Sequence, residues 1–158
     1  MVKLATINTT YFGPLAELLE AEDCILEDAA HIICVQEHHL AQDKISGFQA
    51  RMKQAGYHGV WGAAAMTDSP TGRGTSGGVC VMCPTTVQIT KPPMLAKAVL
   101  VPSRAIAAHL HTAFKAGVVV ISVYLWVDED LGPKNLALLM EVSRYIQKLQ
   151  ALGYDWVV

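Results

Sequence analysis

Ten residues constrain this chain more than any other stretch: His31-Ile-Ile-Cys-Val-Gln-Glu-His-His-Leu40. Ile32, Ile33, Cys34 and Val35 form a short apolar run rich in β-branched residues, the pattern of a strand covered on both faces. Gln36, Glu37, His38 and His39 follow at once. A carboxylate therefore stands where a buried strand runs out of its sheet, and in layered α/β folds ligands collect at such strand ends. An oxygen donor fixed on a rigid strand end suits Mg²⁺ or Mn²⁺. The plainer alternative, the commoner one for such a stretch taken alone, is a strand that exits into a polar loop.

A chain of 158 residues is about one domain. Its 16% charged residues against 52% hydrophobic ones argue for a packed, strand-rich protein and against disorder. Net charge is -2 and no basic block stands out, so there is no electrostatic footprint for tight nucleic-acid binding. A nuclease that holds its substrate briefly stays compatible with that charge. Met1 to Asn8 is too short and mixed for the h-region of a signal peptide. The longest apolar run, Val118 to Val127, contains Ser122 and is too short to span a bilayer. Of Cys24, Cys34, Cys80 and Cys83, three sit in apolar, strand-like contexts, which suits free thiols in a reducing compartment. The expected location is intracellular, cytoplasmic or nuclear, with no membrane partner. Cys80-x-x-Cys83 lacks the second pair that a zinc ribbon needs, and in a strand its two members face opposite sides.

Periodicity predicts the elements in turn. Val2 to Asn8 reads as a first strand. Pro14 opens a helix with Leu15, Leu18, Leu19, Ile25 and Leu26 on one face. After the strand Ile32 to Gln36, Lys44 to Ala55 is a second amphipathic helix with Ile45, Phe48, Met52 and Ala55 at helical spacing and Gly56 as its stop. Val60 to Ala65 reads as a strand, Thr67 to Ser76 as a polar loop, and Gly78 to Met82 as a strand ended by Pro84. Val87 to Ile89 is expected to pair with it as a hairpin partner. Lys91 to Pro102, with three prolines, is a loop or edge segment. Arg104 to Leu110 and Val118 to Tyr124 make a hairpin. Pro133 starts the last helix, with Leu136, Leu139, Val142, Ile146 and Leu149 as its buried stripe and Gly153 as its stop. Asp155 to Val158 opens another strand, and the chain stops inside it. The expectation is an N-terminal piece of a longer domain.

Several motifs compete for function. Gly72-Arg-Gly74-Thr-Ser-Gly77 has the G-x-G-x-x-G spacing, but a loop precedes it and a strand follows, the reverse of a dinucleotide site. Position 97 is a lysine, where an acidic residue would read the ribose. Turn formation and close packing explain the glycines better. His109-x-His111 puts two imidazoles on one strand face, and with Glu37, His38 and His39 they make a possible transition-metal set. Hydrogen-bonded or exposed histidines are the commoner reading. Arg104 suits a phosphate because its guanidinium forks onto two oxygens; otherwise it is a solvated strand-entry charge. Tyr124 ends a very apolar strand, either buried or offering its hydroxyl to a phosphate.

The order of these features is more specific than any one of them: Asn8, then Ile32-Ile33-Cys34-Val35-Gln36-Glu37, then Ser76-Gly77-Gly78-Val79, Arg104, Tyr124, and Gly153-x-Asp155-Trp156-Val157-Val158. This succession resembles the endonuclease/exonuclease/phosphatase superfamily, metal-dependent phosphoesterases that include apurinic endonucleases and non-LTR retroelement endonucleases. Gln36-Glu37-His38-His39-Leu40 is most similar to the retroelement branch. The resemblance implies a four-layered α/β sandwich, two packed β-sheets flanked by helices. It implies Glu37 as ligand of the catalytic Mg²⁺ (or Mn²⁺) with Asn8 supporting it, Tyr124 hydrogen-bonded to the scissile phosphate, Arg104 on the substrate-binding side, and Gly77-Gly78-Val79 as structural. The substrate implied is nucleic acid, DNA first.

Departures from the pattern bear on the branch and on activity. Thr10 stands where the apurinic branch has a carboxylate, Val127 where it has an Asn, and His31 where many members have an Asp. The Gly-Asp-x-Asn and Ser-Asp-His elements, which carry the water-orienting Asp, a phosphate-gripping Asn and the dyad His, are not within these residues. The expectation is metal-dependent phosphodiester hydrolysis, with this chain inactive or nearly so on its own. The alternatives are a degenerate or non-catalytic binding fragment of retroelement origin, and a His/Glu transition-metal protein. Oligomeric state is not legible.

Overall fold

The computed structural model describes residues 3–9, 32–69, 72–92, 98–111 and 117–158. In chain order the elements are β1 (Leu4–Asn8), β2 (Ile32–Gln36), α1 (Gln42–Gln54), β3 (Tyr57–Gly62), β4 (Ala65–Ser69), β5 (Gly72–Ser76), β6 (Val79–Pro84), β7 (Ile89–Thr90), β8 (Val99–Val101), β9 (Ala105–Leu110), β10 (Val118–Val123), α2 (Pro133–Ala151) and β11 (Asp155–Val157). One sheet has the order β1-β2-β6-β3. The second runs β11-β10-β9-β7, with β8 also paired to β9.

Alternation along the strands decides the layers. Ile32 and Cys34 of β2 join Val79, Val81 and Cys83 of β6, and these meet Ile106, Ala108, Leu110, Val118 and Val120 of the second sheet. Ile33, Val35, Cys80 and Met82 face the other way, onto Phe48 and Met52 of α1. Ala105, Ala107, Val119 and Ile121 face α2, against Leu138, Val142, Tyr145 and Leu149. The result is a four-layered α/β sandwich in the order α1, sheet, sheet, α2. The continuous apolar runs at β2, β6, β9 and β10 are needed because each of these strands is covered on both faces. Cys80 and Cys83 lie on opposite sides of β6, as the strand period requires. Burial pushes the Cys83 thiol up to about 12 and that of Cys34 to about 11, which suits inert core thiols rather than redox ones.

β2, the end of α1 at Gly56 (φ 85) and the β9–β10 pair follow the sequence expectation. Other elements differ from it. β3 begins at Tyr57, three residues before the expected Val60, because it pairs along all of β6. Thr67 to Ser76 is not a loop: β4 and β5 pair antiparallel as a separate two-stranded ribbon, from Ala65↔Ser76 to Ser69↔Gly72. Val87 to Ile89 does not pair back on β6. After a turn closed by Val87 N–H on Pro84 O at 2.9 Å, the chain crosses over and β7 pairs with β9. That crossover puts Val87 and Ile89 into the core between the sheets. The Lys91 to Pro102 segment holds β8, an edge strand.

The expected stripe of α2 is also corrected. Leu136 is 48% and Leu139 38% exposed, and the buried face is Asn135, Leu138, Val142, Tyr145 and Leu149. The helix is rotated because Asn135 is pulled inward by hydrogen bonds described below, and an apolar periodicity cannot anticipate a polar anchor. Each buried leucine of this face contributes about 1.5–3 kcal/mol by removal from water. The helix expected after Pro14, and His31, Thr10, Cys24 and Lys97, lie outside the described residues.

Candidate functional site

β1 and β2 run parallel with Asn8 opposite Gln36, so both strands leave the first sheet at the same end. Gln36 ties that end together. It is 8% exposed; its Oε1 accepts from Thr6 Oγ1 at 3.1 Å, and its Nε2 donates to Ser122 Oγ of β10 at 3.3 Å. One carboxamide thus links β1, β2 and the opposite sheet directly before Glu37. A buried amide must find partners for both ends, and here the partners sit on different layers.

The chain then turns sharply. Glu37 (φ 61) and His39 (φ 55) are both left-handed, a conformation that costs non-glycine residues roughly 1–2 kcal/mol each. Hydrogen bonds hold the turn: His38 N–H to Gly78 O at 3.4 Å, His39 N–H to Gly77 O at 3.0 Å, and Thr75 Oγ1 to His39 O at 2.9 Å. His38 is 1% exposed. Its Nδ1 accepts from Leu40 N–H at 3.0 Å, so the hydrogen is on Nε2, which donates to Gly62 O at 3.1 Å. Burial first, and His39 in lesser measure, lower its pKa from 6.5 to about 4. The two adjacent histidines therefore part: His38 is a neutral core group, and His39 faces the carboxylate, with Nε2 3.8 Å from Glu37 Oε1.

The second sheet brings the other bank. Tyr124 follows β10 directly and its N–H donates to Arg104 O at 2.8 Å. Its hydroxyl pairs with Glu37. Burial, then that carboxylate, raise the phenol above its ordinary value, so it remains a proton donor at neutral pH. Arg104 is 6% exposed, not a solvated charge. Its guanidinium lies 4.7 Å from the Tyr124 ring centre and 4.8 Å from that of Trp126, and Nη2 donates to Ser76 Oγ at 3.0 Å. Arg104 Nε is buried and has no hydrogen-bond partner among the described residues. Ser103, also left-handed (φ 59), accepts Gly78 N–H at 2.9 Å and so joins the two sheets at this end.

Gly77 (φ 72) and Gly78 (φ 94) are the backbone that lets the banks meet. A Cβ on Gly78 would stand 2.5 Å from His38 Cε1, and one on Gly77 2.7 Å from Ser103 O. β6 follows them, not a helix, so the glycine spacing serves packing and no dinucleotide cradle is formed.

The structure therefore brings Glu37, Tyr124, Arg104 and the strand end of Asn8 to one place. Glu37 carries a carboxylate at this rim, and Asn8, placed beside it by the pairing of its backbone with Gln36, carries an amide; both are oxygen donors of the kind a divalent cation takes. His109 and His111 belong elsewhere. Their rings are in tilted contact with centroids 4.3 Å apart, but at the Leu110 end of β9, roughly 15 Å along the strand from Arg104. The expected set of Glu37 and four histidines is corrected accordingly. Among the described residues no group of three or more His, Cys, Asp and Glu side chains is placed to hold a metal.

Three contributors escaped the sequence. Ser76 and Trp126 engage Arg104. Asn135, 1% exposed, accepts Trp126 N–H at 2.8 Å and donates to Trp126 O at 2.8 Å and Asp130 O at 2.6 Å, which clamps the Trp126 segment to α2. An Asn in the first turn of a helix is the only trace it left.

Solved structures similar to this chain include two enzymes, an endonuclease and a cyclic phosphatase. One is the AP endonuclease LMAP from Leishmania major, with a TM-score of 0.47 and 17% identity, covering 79% of this chain and 40% of that one. The other is ANGEL2, a 2',3'-cyclic phosphatase, in complex with adenosine-2',3'-vanadate, with a TM-score of 0.41 and 13% identity, covering 73% of this chain and 32% of that one. The chain spans less than half the length of either. No family model and no curated protein matches it.

Proposed function

We propose that this chain is the N-terminal portion of an endonuclease/exonuclease/phosphatase-type domain whose site serves metal-dependent phosphodiester hydrolysis, with nucleic acid, DNA first, as substrate. The convergence of Glu37, Tyr124 and Arg104 from two sheets carries this reading, with the Gln36-Glu37 pair at the end of a buried strand.

The residues fit a divalent cation. A carboxylate and an amide oxygen stand at adjoining strand ends, partly open to solvent, beside a hydroxyl donor and a guanidinium. When bound by Glu37 and Asn8, the ion supplies charge neutralisation at the phosphate and the leaving oxygen. Tyr124 donates its hydroxyl to a non-bridging phosphoryl oxygen, exchanging Glu37 for the substrate as its acceptor. Arg104 fixes the Tyr124 ring from beneath and adds positive potential behind it. Gln36 and the left-handed turn hold the Glu37 backbone so that its carboxylate needs no reordering.

The 158 residues contain no Gly-Asp-x-Asn and no Ser-Asp-His element, so we expect this chain by itself to nick DNA weakly or not at all. That same observation supports the second reading, a binding fragment without chemistry. The test is Mg²⁺-dependent relaxation of supercoiled plasmid, with Mg²⁺ binding measured by calorimetry in parallel. Metal binding that Glu37→Gln removes, with little or no nicking, supports the hydrolase reading. Metal binding indifferent to Glu37→Gln sinks it and leaves the binding fragment.

A further inference from the structure

We propose that the outer edge of β3 is a docking site for an extended acidic peptide, which joins the sheet as a further strand and seats alternate side chains in two cavities. The inference goes beyond the hydrolytic reading and does not depend on it.

A sheet edge comes first. β3 is the last strand of the β1-β2-β6-β3 sheet, and among the described residues it pairs with β6 alone. Every second residue of an edge strand turns its N–H and C=O away from the sheet, a template for another chain. Native sheets blunt such edges with lysine, proline or a bulge. The sequence Tyr57-His-Gly-Val-Trp-Gly62 has no lysine and no proline, and it pairs with β6 in unbroken register.

A cavity lies on each face of the sheet beside this edge. Val60 faces the core between the sheets, and Trp61 faces α1. On the Val60 side, a cavity of about 420 Å³ is walled by Ala98, Val99, Leu100 and Pro102. On the Trp61 side, one of about 290 Å³ is walled by Gln42, Ile45, Ser46 and Gln49. Val60, Trp61 and Lys91 border both. In a strand, successive side chains point to opposite faces. A peptide strand on β3 therefore sends one side chain toward β8 and the next toward α1, with a cavity for each.

The walls specify the residues. Aliphatic neighbours on the β8 side suit an apolar side chain. Amides and a hydroxyl on the α1 side suit a polar one. Lys91 is exposed, and among the described residues it is the sole charged side chain that lines either cavity. An acidic residue in the peptide complements it.

The test is selection of random octapeptides, displayed on phage, against the whole chain. We expect enriched sequences that alternate apolar and polar residues and contain an acid, and calorimetry then measures synthetic copies. Lys91→Glu, which reverses the charge, and Ser46→Trp, which fills the cavity beside α1, should each weaken binding by about tenfold. Lys148→Glu, at an exposed position of α2, should leave it unchanged. Circular dichroism checks that the variants fold. N-methylated peptides separate strand addition from simple pocket binding. Alternate amides of an added strand face β3 and solvent, so methylation at one parity should abolish binding and at the other should spare it. Peptides that ignore Lys91→Glu and Ser46→Trp, or that respond alike to methylation at both parities, overturn the proposal. So does a selection that enriches nothing over an unrelated control protein. None of these results bears on whether Mg²⁺ binding depends on Glu37, so the hydrolytic reading stands or falls separately.

Discussion

The guanidinium of Arg104 is stacked over the ring of Tyr124 at 4.7 Å, and the backbone of the same two residues is joined by Tyr124 N–H on Arg104 O at 2.8 Å. Ring and main chain are thus fixed by one partner. Tyr124 reaches Glu37 on the opposite sheet from a platform that Arg104 and Trp126 make rigid.

Arg104→Ala should therefore destabilise the fold by about 2–4 kcal/mol, since it empties a buried slot between two aromatic rings and strips Ser76 of its donor. Arg104→Lys should recover only part of the loss, because an ammonium cannot lie flat over the two ring faces and still donate to Ser76 Oγ. Urea unfolding of the three proteins measures this. Equal stability of all three would show that the stacking is passive.

His38 predicts an acid weakness. Its pKa is near 6.5 when unfolded and about 4 when folded. A depressed folded pKa gives stability that is fully present above 6.5 and lost as pH falls toward 4. The shift is worth about 3 kcal/mol at ~1.4 kcal/mol per unit. Melting temperatures between pH 7 and pH 4 should fall more steeply for the wild type than for His38→Gln. Parallel curves would refute a neutral buried His38.

Gly78→Ala should cost at least 2–4 kcal/mol or abolish folding, since the added methyl meets the His38 ring and φ is 94. A Gly56→Ala control, also at positive φ (85) but with open space around it, should cost only about 1 kcal/mol. Thermal unfolding compares them. Equal losses would mean that backbone strain, and not the His38 contact, governs Gly78.

Asn135→Ala removes three hydrogen bonds at a buried position and should cost about 1–3 kcal/mol. Because Trp126 is freed with it, tryptophan fluorescence should shift to the red in the folded variant. An unchanged spectrum would show that Arg104 alone holds the ring.

The core strands were legible from local pattern, while their stacking in four layers was implied only by the family resemblance. Ile32 to Val35 read as a strand buried on two faces, Gly78 to Met82, Arg104 to Leu110 and Val118 to Tyr124 read as strands, and the stretch ending in Gln36-Glu37 pointed to the rim where Glu37, Tyr124 and Arg104 now stand. What tertiary structure alone decided is which polar groups meet. Hydrophobic periodicity reports burial along one element, but it carries no distance between elements. Nothing local distinguished His38 from His39, yet Gly62 and Gly78 draw one into the core and Thr75 turns the other to Glu37. The same limit explains Leu136 and Leu139, which were expected inside. An apolar stripe fixes a helix's face only to within about one residue, and the buried amide of Asn135, with three partners to satisfy, set the rotation.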